Sequence, residues 1–169
     1  RDDTELYNGS TWTELNDLTT ARQNLGGVGT STAALAFGGG PPAIANTEIW
    51  NGTNWTEVND LNAVRQQMGV SGTANTSALS FGGVVSLPTR TDTVESWNGT
   101  NWTEVADLNT GRRGLGGFGA SNTDALAFGG EDGDTNAHVV TEGWNGSAWY
   151  EVNNLNVGRY GIQAGGIGT

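Results

Sequence analysis

A nine-residue pattern recurs four times along the chain and restricts the possible folds more than any other feature of the sequence. In every copy an aromatic residue precedes a tryptophan by five positions, with Asn-Gly and two small or polar residues between them. Asn and Gly tolerate the positive φ angles of tight turns, whereas Trp, Thr, Val and Ile favour strands. Each copy therefore predicts a β-hairpin whose two aromatic side chains pack as a cross-strand pair. The pairs, which we assign to the core, are Tyr7 with Trp12, Trp50 with Trp55, Trp97 with Trp102, and Trp144 with Trp149.

The hairpin is half of a longer repeat. An arginine follows every second aromatic residue by ten positions, without exception. A glycine-rich apolar segment starts at this arginine, and a second apolar segment ends in Phe-Gly-Gly, so both are predicted strands. The predicted unit has four strands: a starts at the arginine, b ends at Phe-Gly-Gly, and c and d form the hairpin. The repeated arginines are Arg22, Arg65, Arg112 and Arg159.

The whole chain, 1–169, is predicted to be one segment made of these units. Its 28 glycines and its hydrophobic content of 35% favour short strands and turns over a helical core. Differences in unit length fall only in the a-to-b turn and the b-to-c loop. The predicted units are strands c and d in 1–21, three complete units in 22–64, 65–111 and 112–158, and a last strand a in 159–169.

Four-stranded units of 43 or 47 residues, each with a tryptophan-bearing strand, predict an all-β fold of the β-propeller type. The order Arg-x-x-Leu-Gly-x-x-Gly, Phe-Gly-Gly and paired aromatics resembles the kelch repeat, the blade type of galactose oxidase propellers. The segments WNGTNWTEV and ALAFGG are also similar to kelch-like repeats abundant in structural proteins of marine bacteriophages, such as tail and fibre proteins. The resemblance covers essentially the whole chain and departs from the pattern at Tyr7 and after Arg159. The predicted strands amount to about 3.75 four-stranded blades, so we expect part of a larger ring or a ring completed by oligomerisation.

The repeated arginines are the first candidate for ligand binding. Successive strands of a unit reverse direction, so the d-to-a and b-to-c connections share one face, and the arginines are expected there, near the central opening. The kelch resemblance implies that an arginine at this position can bind acidic ligands, which a guanidinium group suits. Alternatively, repeated acids hold the arginines inside the unit. The candidate acids are Asp17, Asp60 and Asp107, or Glu48, Glu95 and Glu142 on strand c.

The loop EDGDTNAH is the second candidate, with Asp132, Asp134 and His138 as potential ligand-binding residues. It has the oxygen density of a weak calcium loop but lacks the spacing of an EF-hand, so a solvated loop is preferred. No cofactor or metal is predicted. The chain has no cysteine and one histidine, which excludes thiolate sites and multi-histidine sites within one chain.

Composition narrows the expected function. The net charge of −11 argues against unaided binding of nucleic acid or anionic membranes. We expect a non-enzymatic structural or recognition module, extracellular or on a virion, that binds a glycan or protein, for instance in host recognition. Other propeller segments, virion proteins or copies of the chain are expected partners. The alternatives are a carboxylate-based glycan-processing enzyme, which the recurrence of the acids disfavours, and a kelch-type protein-interaction adaptor.

Overall fold

The computed structural model describes residues 1–133 and 137–162, and within these residues the chain is all-β. The described strands form three four-stranded and two two-stranded antiparallel sheets. In every four-stranded sheet the strands lie side by side in chain order, as the four-strand unit predicts. Within the described residues no helix has the length and apolarity needed to cross a membrane.

A hairpin and the first sheet make up the N-terminal part of the chain. The hairpin pairs β1 (Glu5–Tyr7) with β2 (Trp12–Glu14). The first sheet consists of β3 (Gly26–Thr30), β4 (Ala33–Phe37), β5 (Thr47–Trp50) and β6 (Trp55–Val58).

The second and third sheets repeat this arrangement. The second contains β7 (Gly69–Ala74), β8 (Ser77–Phe81), β11 (Val94–Trp97) and β12 (Trp102–Val105). Between β8 and β11 lies a short hairpin of β9 (Val84–Ser86) and β10 (Thr89–Arg90). The third sheet contains β13 (Gly116–Ser121), β14 (Asp124–Phe128), β15 (Thr141–Trp144) and β16 (Trp149–Glu151).

The four aromatic hairpins are confirmed in register. Trp50 lies directly opposite Trp55, with ring centroids 5.3 Å apart, and the other three pairs match within 0.2 Å. The side-chain oxygen of Asn51 accepts the backbone N–H groups of Thr53 and Asn54, both at 2.9 Å. Gly52 has a φ of 92°, which only glycine adopts without strain. The Asn-Gly sequence therefore sets the turn, and the turn sets the pairing of the aromatic rings.

The three large sheets meet along their first strands. β7 lies between β3 and β13, whereas the outer strands of neighbouring sheets diverge. Small residues permit this approach, since a Cβ atom on Gly117 would lie 2.5 Å from the carbonyl oxygen of Val70. The arginine-led strands are thus the innermost ones where the sheets converge.

Between the sheets, the second tryptophan of each unit packs on the sheet before it. Trp102 makes an edge contact with Phe37 at 4.8 Å, and Trp149 contacts Phe81 at 5.2 Å. The core assignment is wrong for Tyr7 and Trp12, which are 51% and 65% exposed. The physical reason is that no described sheet covers their side of the β1–β2 hairpin. Trp55 is half-buried, because only that hairpin covers it, and the remaining five tryptophans are buried: Trp50, Trp97, Trp102, Trp144 and Trp149.

Two segments differ from the predicted strand pattern. The loop of the second unit folds into the β9–β10 hairpin, which the prediction lacked. The predicted strand after Arg159 is absent from residues 159–162, and its remainder, 163–169, lies outside the described residues.

Candidate binding site

Three of the repeated arginines are buried in ion pairs with the third strand of their own sheet. Their side chains are at most 1% exposed, and so are those of their glutamate partners. The pairs are Arg22–Glu48 at 3.1 Å, Arg65–Glu95 at 2.7 Å and Arg112–Glu142 at 2.7 Å. Of the two acid sets considered for the arginines, the structure pairs them with the glutamates.

Each ion pair also ties down the connection that precedes the arginine. Glu95 accepts hydrogen bonds from the backbone N–H of Asn62 at 2.7 Å and from its side-chain amide at 2.8 Å. Burial lowers the pKa of the Arg65 guanidinium, and the charge of Glu95 and its hydrogen bond raise it part of the way back. A buried charge that is paired and hydrogen-bonded in this way holds the d-to-a connection against its sheet.

The repeated aspartates have a separate role. The side-chain oxygens of Asp17 and Asp60 accept the N–H groups of Thr4 and Thr47, at 3.2 and 2.9 Å. Thr47 is the first residue of β5 and Thr4 directly precedes β1, and these two strands are strand c of their units. In the last unit Asn154 bonds Thr141 at 3.1 Å in the same way. A neutral amide oxygen can also accept this bond, so the contact is kept although Asn replaces Asp.

The burial of three of the four arginines argues against direct ligand binding by their side chains. Arg22, Arg65 and Arg112 offer no surface to a ligand in this structure, so their geometry supports the structural alternative. Arg159 is exposed and forms no ion pair with a described residue. Replacing the buried arginines therefore measures folding, whereas ligand binding must be sought next to them.

A cavity lies where the segments after the four arginines converge. The residue two positions after each arginine has a positive φ: 56° at Asn24, 57° at Gln67, 60° at Gly114 and 67° at Gly161. The N–H of Gln67 donates to the Asn24 carbonyl at 3.0 Å, and that of Gly114 to the Gln67 carbonyl at 2.9 Å. This left-handed turn steers every segment inward in the same way and links each to the next.

The cavity has a volume of about 300 Å³ and a mixed lining. Polar groups come from Asn24, Gln67, Arg113 and Tyr160, the last of which is 63% exposed. Four apolar side chains also line a second cavity of about 230 Å³ that continues between the first strands. These shared residues are Leu25, Met68, Leu115 and Ile162. The size and lining suit a small ligand or the end of a chain-like ligand.

Arg113 connects this cavity to a charged cluster. Its Nε donates to Glu131, whose carboxylate also receives two 2.8 Å bonds from Arg90 at the end of β10. Burial alone raises the pKa of Glu131, but the hydrogen bonds and charges of Arg113 and Arg90 outweigh it and hold the pKa below the usual value. The terminal nitrogens of Arg113 make no hydrogen bond to a described residue, and the side chain is 27% exposed. The cluster carries one net positive charge.

The acidic-loop candidates are only partly brought together. His138 Nε2 lies 3.0 Å from Asp132 Oδ1, while Asp134 lies outside the described residues. In the part of the chain that the structure describes, no group of three or more His, Asp or Glu side chains is arranged to hold a metal ion. This Asp–His contact lies beside the cluster around Glu131, next to it in the chain.

The cavity residues were missed by the sequence prediction, although a signal for them exists. The position after each arginine is Gln23, Gln66, Arg113 or Tyr160, so it departs from Gln in the last two units, while the arginine before it is the same in all four. Variation directly after an invariant residue indicates that the scaffold does not determine the varying position. The scan against protein-family models and the search of curated proteins both found no match for this chain.

Proposed function

We propose that the chain is a β-propeller segment of kelch-like blades and a non-enzymatic recognition module. Three successive four-stranded meanders that converge on their first strands support the propeller architecture. The repeated Arg, Phe-Gly-Gly and paired aromatics support the kelch resemblance. The ligand binds at the cavity where the arginine-led segments meet, and its class is a glycan that carries a carboxylate or sulfate group.

The lining of the cavity carries this proposal. The side-chain amides of Asn24 and Gln67 pair with sugar hydroxyls, since an amide both donates and accepts. The exposed ring of Tyr160 offers an apolar face to a sugar ring. The terminal nitrogens of Arg113, which bond no described residue, suit a bidentate carboxylate or sulfate. The net charge of −11 opposes an anionic ligand at long range, but charges beyond about 8–10 Å are largely screened at physiological ionic strength.

The placement of carboxyl groups around the cavity suits ligand binding better than glycan cleavage. None of the described residues that line it is an aspartate or glutamate. The nearest carboxyl group in the Arg113 cluster, Glu131, is held ionised by two guanidinium groups, which is unsuitable for a general acid. A glycosidase needs two carboxyl groups facing one scissile bond. The cavity therefore favours binding over the enzyme alternative.

Display on a virion or in the extracellular space, and association with other propeller or virion proteins, are the setting that the kelch-like resemblance implies. The adaptor alternative has no separate observation in its favour.

The test is a glycan array that includes neutral, uronic-acid and sulfated glycans, probed with the parent chain and three variants. Tyr160→Ala and Arg113→Gln should each weaken binding of acidic glycans by at least about tenfold, or about 1.4 kcal/mol. Tyr150→Ala is the matched control, since Tyr150 is 49% exposed but does not line the cavity. Absence of binding, or binding that the two cavity variants leave unchanged, refutes the site. Cleavage of any bound glycan, detected by mass spectrometry, favours the enzyme instead.

A further inference from the structure

The contact between neighbouring sheets is built from the same parts each time it occurs. The preceding sheet supplies a buried phenylalanine, here Phe37. The loop after that phenylalanine also hydrogen-bonds the backbone of the arginine that opens the next unit, here Arg65. The following sheet supplies a tryptophan and a glutamate, here Trp102 and Glu95. Between the second and third sheets the same four roles are taken by Phe81, Arg112, Trp149 and Glu142.

The third sheet carries the preceding half of this contact, but among the described residues no further sheet follows it. Phe128 occupies the place of Phe37 but is partly exposed, whereas Phe37 and Phe81 have no exposed surface. The hydroxyl of Thr141 corresponds to that of Thr47, which accepts the indole N–H of Trp102 at 3.0 Å. We call the side of the third sheet with Phe128 and Thr141, together with Arg159, the tail face.

Arg159 is already placed as the other arginines are. Its carbonyl accepts the N–H of Gly130 at 2.8 Å, as the Arg65 carbonyl accepts that of Gly39 at 2.9 Å. Its N–H donates to the His138 carbonyl at 3.2 Å, as that of Arg65 donates to Ile44 at 3.1 Å. The backbone position of the arginine is therefore set before any glutamate reaches it.

The β1–β2 hairpin carries the complementary half. Trp12 and Glu5 correspond in the repeat to Trp102 and Glu95, yet Trp12 is 65% exposed and Glu5 is exposed without an ion pair to a described residue. We call this side of the hairpin, with Glu5, Tyr7 and Trp12, the head face. An exposed aromatic pair beside an unpaired charge is typical of an interaction surface.

We propose that the head face of one copy of the chain docks on the tail face of a second copy and reproduces the contact between sheets. Trp12 packs against Phe128 and donates its indole N–H to the Thr141 hydroxyl, while Glu5 pairs with Arg159. The interface is head-to-tail, so each copy keeps one free face until the assembly closes into a ring. The occupant is a second copy because the chain itself presents both complementary halves, in shape and in charge.

Light scattering over about 1–100 μM protein, a range chosen to bracket micromolar affinity, tests the association. The parent chain should give multiples of 17.6 kDa, and Trp12→Ala and Thr141→Val should weaken association. The loss expected for Trp12→Ala is at least about 30-fold, as for a central interface aromatic. Leu87→Ser is the control, since Leu87 is 69% exposed but belongs to neither face. A monomer at every concentration, or association unaffected by Trp12→Ala, overturns the proposal.

Charge reversal tests the predicted orientation. Glu5→Arg and Arg159→Glu should each weaken self-association by about tenfold, the loss of one desolvated charge pair. An equal mixture of the two variants should recover it, because every head then meets a tail of opposite charge. A mixture no better than either variant alone refutes the head-to-tail arrangement.

Crosslinking distinguishes docking between two copies from docking of the head face on the tail face of the same chain. The chain has no cysteine, so Glu5→Cys with Arg159→Cys introduces the only two thiols and leaves Trp12, Phe128 and Thr141 in place. The reaction is run at about 100 μM protein, which compensates for the roughly tenfold loss expected without the charge pair. A short bifunctional thiol reagent should give covalent dimers and larger species; a product confined to single chains refutes the second copy. Neither face includes the glycan cavity, so loss of self-association and loss of glycan binding are independent results.

Discussion

The indole Nε1 of Trp102 donates a 3.0 Å hydrogen bond to the hydroxyl of Thr47 on the preceding sheet. Trp55 makes the same bond to Thr4. In the contact between the second and third sheets the threonine is replaced by Val94, and Trp149 Nε1 is buried with no hydrogen-bond partner among the described residues. Of the three indole groups that pack on a preceding sheet or hairpin, Trp102, Trp55 and Trp149, only that of Trp149 therefore lacks this bond among the described residues, because one residue differs.

Val94→Thr should supply this bond. The hydroxyl then lies where Thr47 places its own, so Trp149 gains a hydrogen bond worth about 1 kcal/mol, and stability to urea should rise by about that amount. The reverse change, Thr47→Val, leaves Trp102 Nε1 unpaired and should cost about 1–3 kcal/mol. A loss of stability in Val94→Thr contradicts the assignment.

Trp102→Ala should lower the free energy of unfolding by about 3–5 kcal/mol, since the ring is 5% exposed and packs on Phe37. Trp12→Ala removes the same atoms from a ring that is 65% exposed, so at concentrations low enough to keep the chain monomeric it should change stability by at most about 0.5 kcal/mol. Denaturant titration of both variants measures the difference. Equal losses contradict the burial argument.

Arg65→Met should destabilise the chain by about 3–5 kcal/mol, because it leaves the Glu95 carboxylate buried without its counter-charge. Adding Glu95→Gln to this variant should recover part of the loss, since the amide oxygen still accepts a hydrogen bond. Arg159→Met is the matched surface control and, at concentrations low enough to keep the chain monomeric, should stay within about 0.5 kcal/mol of the parent. No recovery in the double variant argues that Arg65 acts through packing alone.

Gly69→Ala should cost about 1–3 kcal/mol. A Cβ atom there would lie 2.2 Å from Cε2 of Phe81, whose fully buried ring has no room to move. Gly27→Ala in β3 is the control, since its nearest neighbour is a carbonyl oxygen at 3.8 Å. Thermal unfolding of both variants measures the difference. Similar melting temperatures contradict a role for the close contact between Gly69 and the Phe81 ring.

The sequence was most informative where local chemistry determines geometry. The Asn-Gly turn determines which residues face each other, so Trp50 opposite Trp55 followed from the sequence alone. Exposure did not follow, because the burial of Trp12 depends on which sheet lies beside its hairpin, and periodicity within a unit carries no such information.

The candidate site was predicted less well, for a related reason. Repetition drew attention to arginines such as Arg65, but repetition marks what the scaffold needs in every unit, and those side chains are internal. The cavity uses non-repeating neighbours, including Arg113 and Tyr160. The β9–β10 hairpin was missed since its loop resembles no other copy, and its Arg90 reaches Glu131 from 41 residues away.

Glu131 should make stability depend on pH in the acid range. Its folded pKa lies below the ordinary 4.5, although burial alone would raise it, because Arg113 and Arg90 bond the charged form. The unfolded chain therefore binds the proton more readily. The contribution is fully present above pH 4.5 and is lost as pH falls through the lowered folded pKa.

Glu131→Gln removes this charge-dependent stabilisation, so it should lower the free energy of unfolding by about 1–3 kcal/mol at pH 7. The difference between parent and variant should shrink toward zero at the most acid pH at which the parent stays folded. Urea denaturation of parent and variant at matched pH values measures the difference, which cancels the other carboxyl groups. Glu104→Gln, at an exposed position of β12, should show little cost at either pH. A cost of Glu131→Gln that stays constant or grows as pH falls contradicts stabilisation of Glu131 by the two guanidinium groups.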